Sequence, residues 1–227
     1  MLPDYNNHYY ILNDYSFGKI NINVLFSFFL TYSLIYKALE KSTFPKYKIY
    51  QFSNKLVSGI HSMISFYGAY KYINDGLDYE TWNNKYIMIT KMYLLYDTIL
   101  CLFNNEGIQI LFHHIIFYFG VGYNELKYSY FIAQALLAEI TNINLHFGWF
   151  LLTIKYNKTK IFKINAIILI ILFFIFRVLN YINLSYVSLI TFTKMYGFNN
   201  GAFFVNGLGL LQFYWFKKLV EKIKEKC

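Results

Sequence analysis

Long apolar blocks separated by short polar clusters run the length of this chain, and most approach the roughly 20 residues that a helix needs to cross about 30 Å of hydrocarbon. The blocks fall at 20 to 39, 56 to 73, 86 to 103, 108 to 122, 129 to 154, 161 to 181 and 201 to 219. They predict an all-α fold: a polytopic transmembrane helical bundle of about seven spanning helices. The fourth block is short, because its 15 residues at about 1.5 Å each reach only about 22 Å. The fifth is longer than an upright helix requires. A short span beside a long one predicts tilting, kinking or burial of the short one inside the bundle. The organisation expected is an N-terminal segment with the first helix over 1–49, a main transmembrane domain over 50–221 and a short basic cytosolic tail over 222–227.

Composition agrees with the pattern. Hydrophobic residues make up 57% and charged residues 15% of the chain, against about 25% charged in an ordinary soluble domain. The first 19 residues lack the basic start and small-residue cleavage site of a removable signal peptide, so the first block is expected to act as an uncleaved anchor. Cys101 and the terminal Cys227 are too few and too separated for a disulfide framework or a thiolate metal site.

Charge sets an expected orientation. Fourteen of the twenty-one basic residues gather at Lys37 to Lys55, Lys155 to Lys163 and Lys217 to Lys226, and seven spans place all three groups on one side. Lysine and arginine collect on the cytosolic face, so the amino terminus is expected in the lumen or exterior and the carboxyl terminus in the cytosol. A net charge of +9 raises the question of nucleic acid, but these lysines sit at the ends of apolar spans rather than on one soluble face. Expected partners are membrane lipids, with no nucleic acid and with self-association into a homo-oligomer left open. Of two glycosylation sequons, Asn157 falls in a predicted cytosolic loop and Asn183 near a predicted lumenal end, which leaves Asn183 as the modifiable one.

Polar side chains inside the spans carry the functional signal, because each charged group at a helix centre costs about 2.5 to 3.5 kcal/mol on insertion scales. The second span holds His61 with Ser58, Ser62 and Ser65. The third holds Asp97, one turn from Tyr93 and Cys101. The fourth holds His113 and His114, and the fifth holds Glu139, Asn142 and His146. Lipid cannot satisfy these groups, so they are expected to face inward and pair. Asp97 and Glu139 are the expected partners of the histidine pair, and adjacent residues differ by about 100° around a helix, so one histidine can serve an interior site while the other meets a neighbouring helix. His113, His114, Asp97 and Glu139 form the candidate lipid or acyl-transfer centre, with Asn142, His61 and His146 as supporting polar residues; His61 and His146 alone read as hydrogen-bonded packing residues. Arg177, near the end of an apolar run, is expected to snorkel. Gly201, Gly207 and Gly209 are expected to permit close helix approach, and Trp82, Trp149 and Trp215 to anchor at interfaces or pack.

The histidines are too few for the HxxxH and HxxHH patterns of membrane desaturases, and Ile110 stands where an elongase-like HxxHH needs histidine. No metal and no bound cofactor is expected. GxSxG and phosphate-binding glycine loops are also missing from the sequence. A histidine polarised by a carboxylate suits general-base work toward an amine or hydroxyl.

The ordered set SNKLVSGIHSMI, YLLYDTIL, FHHI, LLAEITNINLHFGWFL, FFIFRVLN and LGLLQFYWFKKLV resembles a TLC domain. That region is shared by translocating-chain-associating proteins, longevity-assurance ceramide synthases and the ceroid-lipofuscinosis membrane protein. The similarity extends from about residue 50 to residue 221. Asp97, His113, His114, Glu139, Thr141, Trp149 and Phe150 are most similar to the small TLC-domain-containing branch. The resemblance implies a multi-pass protein of the endoplasmic reticulum or a related endomembrane, concerned with lipid synthesis, transport or sensing. It departs from ceramide synthases at Phe117, where they carry threonine, and at Glu139 with Asn142, where they carry a carboxylate pair. A non-catalytic role in lipid homeostasis is therefore favoured. A ceramide-synthase-like N-acyltransferase with acyl-CoA as co-substrate, and a structural membrane component, are the alternatives.

Overall fold

The structure is a computed structural model that describes residues 20–104, 107–122, 126–196 and 200–226. The N-terminal segment through residue 19 and Cys227 lie outside the described residues. Among the described residues there are seven helices and no strand: α1 (Ile22–Glu40), α2 (Ile49–Asn74), α3 (Tyr79–Phe103), α4 (Ile108–Gly122), α5 (126–153), α6 (160–196) and α7 (Asn200–Lys226). Three of them, at Ile22–Glu40, Tyr79–Phe103 and within α6 at Lys160–Ile190, are long and apolar enough to cross a membrane, and α4 is a shorter apolar helix. The molecule is an integral membrane protein of all-α architecture.

Local chemistry explains where the helices begin. The Asn21 side chain accepts from the Val24 amide at 3.1 Å to start α1. Asp78 accepts from the Thr81 amide at 2.8 Å to start α3, and that bond holds its carboxyl below the ordinary carboxylate range. Thr159 does the same for α6 through the Phe162 amide. Gly76, at φ +67°, supplies the left-handed residue in the turn between α2 and α3. Within α1, the hydroxyls of Ser27, Thr31 and Ser33 each donate to the carbonyl four residues earlier. Those bonds let hydroxyls ride on a helix that exposes Ile22, Phe26, Leu30 and Leu34.

Helix neighbours define a ring. α2 packs on α5, α5 on α6, α6 on α7, α7 on α4, α4 on α3, and α3 back on α2. Helix α1 sits outside, over α2 and α3, where Phe28 stacks on Tyr96 and meets Tyr93 edge-on. The ring's most polar wall is α2, whose buried residues Ser53, Val57, Ser58, His61, Ser62, Ser65, Gly68 and Ala69 recur at intervals of three and four. Small residues at that spacing let neighbouring backbones come close.

Gly68 is the extreme case, because a Cβ there would collide with the Tyr86 ring. Tyr86 is itself buried and stacked on the fully buried Trp82, so it has no room to retreat. Gly68→Ala is expected to destabilise the protein by about 1 to 3 kcal/mol, read as an earlier thermal unfolding transition in detergent. An unchanged transition would mean that Tyr86 swings away freely.

Several expectations change. α2 starts earlier than the apolar block and α6 runs to Tyr196, because their polar residues face protein: Ser53 and Ser188 are both buried. Asn183 consequently lies inside a continuous helix and not at a loop where a sequon is modified. α7 continues through Lys226. Of the last helix's glycines, Gly209 closely approaches Ser185 of α6, whereas nothing lies within 4 Å of a Cβ at Gly207. Of the two roles expected for Trp82, packing is the one found: it is a core residue, stacked on Tyr72 at 4.9 Å.

Candidate functional site

Asp97 is the centre of one corner. It lies on α3, six residues before Phe103, and is buried. Its Oδ1 accepts from Asn54 Nδ2 at 2.8 Å, and its Oδ2 accepts from the Tyr93 hydroxyl at 3.0 Å. The same Oδ2 lies 3.3 Å from His114 Nε2 on α4. Asn54 is in turn fixed by the Tyr96 hydroxyl, which donates to its Oδ1 at 3.0 Å. The other ring nitrogen, His114 Nδ1, stands 3.8 Å from the Sγ of Cys101, one turn beyond Asp97 on α3. A carboxylate held by three partners therefore orients the histidine, whose other nitrogen addresses a thiol.

The second corner is built on Arg177, the only arginine in the chain. It is 5% exposed. Nε donates to Thr141 Oγ1 at 2.6 Å, Nη1 to Gln212 Oε1 at 3.0 Å, and Nη2 to Asn142 Oδ1 at 2.7 Å. Glu139 Oε1 lies 4.0 Å from Nη2, while its Oε2 accepts from Asn142 Nδ2 at 2.7 Å. Phe173 closes the guanidinium's face at 5.2 Å. Asn142 also donates to Ser62 of α2 at 3.3 Å.

Both charges of this corner come from helix segments of unusual winding. Glu139 lies in a tight 3-10 turn, Leu137–Ile140, inside α5, and Arg177 in a wide π turn, Phe174–Leu179, inside α6. Each change of winding rotates the helix face that follows, and such interruptions recur at functional sites. The two corners join into one polar network at α2, where His61 stacks on Asp97's partner Tyr93 and Ser62 accepts from Asn142. Each of the six ring helices contributes to it, with His61 and Ser62 from α2, Asp97 from α3, His114 from α4, Glu139 from α5, Arg177 from α6 and Gln212 from α7. The described part of α1 contributes none of these groups.

The histidine pair divides its work. His114 faces the interior and is buried. His113 turns toward α7, stacked at 5.6 Å on Phe117 and edge-on at 4.9 Å to Trp215, and its Nδ1 has no hydrogen-bond partner among the described residues. Asp97 is thus the direct carboxylate partner of His114; His113 meets an aromatic wall in place of a carboxylate. His61 stacks at 3.7 Å on Tyr93, with Nε2 bonded to Ser65 at 2.8 Å. His146 Nε2 bonds Ser58 at 2.9 Å. His61 thus lies directly behind Asp97's tyrosine partner, whereas His146 joins α5 to α2.

Arg177, Gln212, Asn54 and Cys101 are the members that the linear pattern does not single out. A lone arginine in FFIFRVLN was the available signal for the first, and its burial corrects the expectation of snorkelling: three side chains and a carboxylate hold it inside. One group of potential metal ligands occurs among the described residues, namely Asp97, Cys101 and His114, with donor atoms within 4.8 Å of one another.

Residues 48–221 match the family model described as the TLC domain. Comparisons with curated proteins and with solved structures gave no match.

Proposed function

Because the chain belongs to the TLC-domain family, we propose that it handles membrane lipids in the endoplasmic reticulum or a related endomembrane, and that a lipid or acyl group engages the centre formed by His114, Asp97, Glu139 and Arg177. The observation that carries this reading is the convergence of polar groups from all six ring helices on an interior whose exterior is apolar. Such groups are expensive to place in a membrane and mark functional positions by default. A lipid offers two matching parts: an acyl chain for the aromatic wall at His113, Phe117 and Trp215, and a polar linkage for the histidine and the carboxamides.

A second reading, N-acylation of an amine by an acyl thioester, has its own support. His114 is held by Asp97 through Nε2, which leaves Nδ1 on the working side, and the neighbouring His113 keeps a buried nitrogen unpaired among the described residues. A positioned general base contributes about 10²- to 10⁴-fold to rate.

The test is lipid profiling of cells expressing wild type, His114→Ala or Asp97→Asn, together with mass spectrometry of lipids retained by each purified protein. Wild type is expected to change membrane lipid composition and to retain a defined lipid class, and both variants to lose these effects while remaining folded. Identical profiles in all strains with no retained lipid would reject the reading and leave a structural role. Amide formation from acyl-CoA and a sphingoid base by wild type would establish the N-acyltransferase instead.

A further inference from the structure

Cys101, His114 and Asp97 form one compact buried group, with the thiol nearest Nδ1 and the carboxylate nearest Nε2. An imidazole in contact with both an acid and a thiol can be oriented by the one and activate the other. The separations are 3.8 Å and 3.3 Å, and apo sites are commonly looser than reacting ones. Asn54 and Tyr93 keep the acid in place from two further sides.

The position along the bundle also bears on the substrate. Asn54, which bonds Asp97 directly, immediately precedes Lys55, and Lys55 and Lys48 both lean over the Trp149 ring, at 5.0 and 5.8 Å. The thiol thus lies toward the end of the bundle that carries the lysines of the α1–α2 connection. Cations at that end and aromatics beside the histidine pair suit a molecule with a phosphorylated head and an acyl tail.

We infer that Cys101 is an acyl-accepting nucleophile, activated by His114 and Asp97, that takes an acyl group from an acyl thioester of the acyl-CoA class; the inference rests on the lipid-handling reading above. His114 Nδ1 removes the thiol proton as Sγ attacks the thioester carbonyl. The carbon–sulfur bond to the carrier breaks, and the carrier leaves as a thiol with the proton returned from the imidazolium. One thioester is exchanged for another, with no redox change. The product is S-acyl Cys101, from which the acyl group can pass to an amine or hydroxyl acceptor.

The experiment incubates full-length protein in lipid nanodiscs with palmitoyl-CoA and follows the acyl mass on each cysteine by peptide mapping. Neutral hydroxylamine, which cleaves thioesters and spares amides, identifies the linkage. In wild type, Cys101 is expected to acylate at least about tenfold faster than Cys227 in the same molecule, and His114→Gln is expected to slow it by at least about tenfold. Acylation of Cys101 no faster than Cys227, or undiminished in folded His114→Gln, overturns the inference. So does a stoichiometric metal in wild type that Cys101→Ser loses, which would make the group a metal site. The comparison between the two cysteines needs no variant and holds even if a substitution fails to fold. Lipid retained without any acyl mass on Cys101 overturns this inference alone. A protein that neither retains lipid nor alters cellular lipids, and stays unacylated, overturns both readings.

Discussion

Arg177→Ala is expected to lower stability by about 3 to 5 kcal/mol, the cost of leaving a buried ionic partner uncompensated. The guanidinium ties Thr141, Asn142 and Gln212 into one arrangement, and it faces Glu139 across 4.0 Å. Removing it strands three acceptors contributed by α5 and α7 and a carboxylate with no nearby cation. Arg177→Lys should not restore the wild type, because a single ammonium cannot span the fork of directions that Thr141, Gln212 and Asn142 define. Replacing both charges, as in Arg177→Met with Glu139→Gln, should recover much of the loss, since exchanging a buried pair for neutral groups of similar volume is often close to neutral. Thermal unfolding in detergent separates the cases. Equal melting of wild type and Arg177→Ala would show that the arginine reaches water, as snorkelling requires.

The second large effect is expected at Asp97. Asp97→Ala removes the acceptor for Asn54 and Tyr93 and the partner of His114, and each orphaned buried group costs about 1 to 3 kcal/mol. Asp97→Asn is the sharper variant. It preserves size and can still accept through its amide oxygen, so the helix packing should survive with a smaller penalty, but it turns one of the two oxygens that receive Asn54, Tyr93 and His114 into a donor. A fold that persists while lipid retention or Cys101 acylation collapses would place Asp97 in function. Parallel losses of stability and function in both variants would make it a packing residue. The comparison uses melting for one readout and bound lipid or acyl mass for the other.

Much of the architecture can be read without coordinates. Seven apolar blocks correspond to seven helices, and the short fourth block remains a helix of 15 residues, accommodated between α3 and α7. The aspartate of YLLYDTIL and the second histidine of FHHI do meet. Their meeting was foreseeable in kind, because both must find polar partners in a medium that offers none, and few candidates exist. Where the polar residues continue the inward stripe, as at Ser53 or Ser188, a hydropathy window ends a helix that the backbone continues. Windows average around a helix; burial selects one face.

The sequence by itself determined the medium and the inventory: membrane-spanning length, a set of titratable groups that lipid cannot solvate, and the basic clusters at one set of helix ends. Tertiary structure alone decided the pairings. Sequence spacing reports angles on one helix, whereas the fate of Arg177 depends on side chains of α5 and α7, and the grouping of Cys101, His114 and Asp97 depends on how α3 rests on α4. A 3-10 turn at Glu139 and a π turn at Arg177 further shift the faces those residues present, and regular 3.6-residue periodicity carries no trace of either.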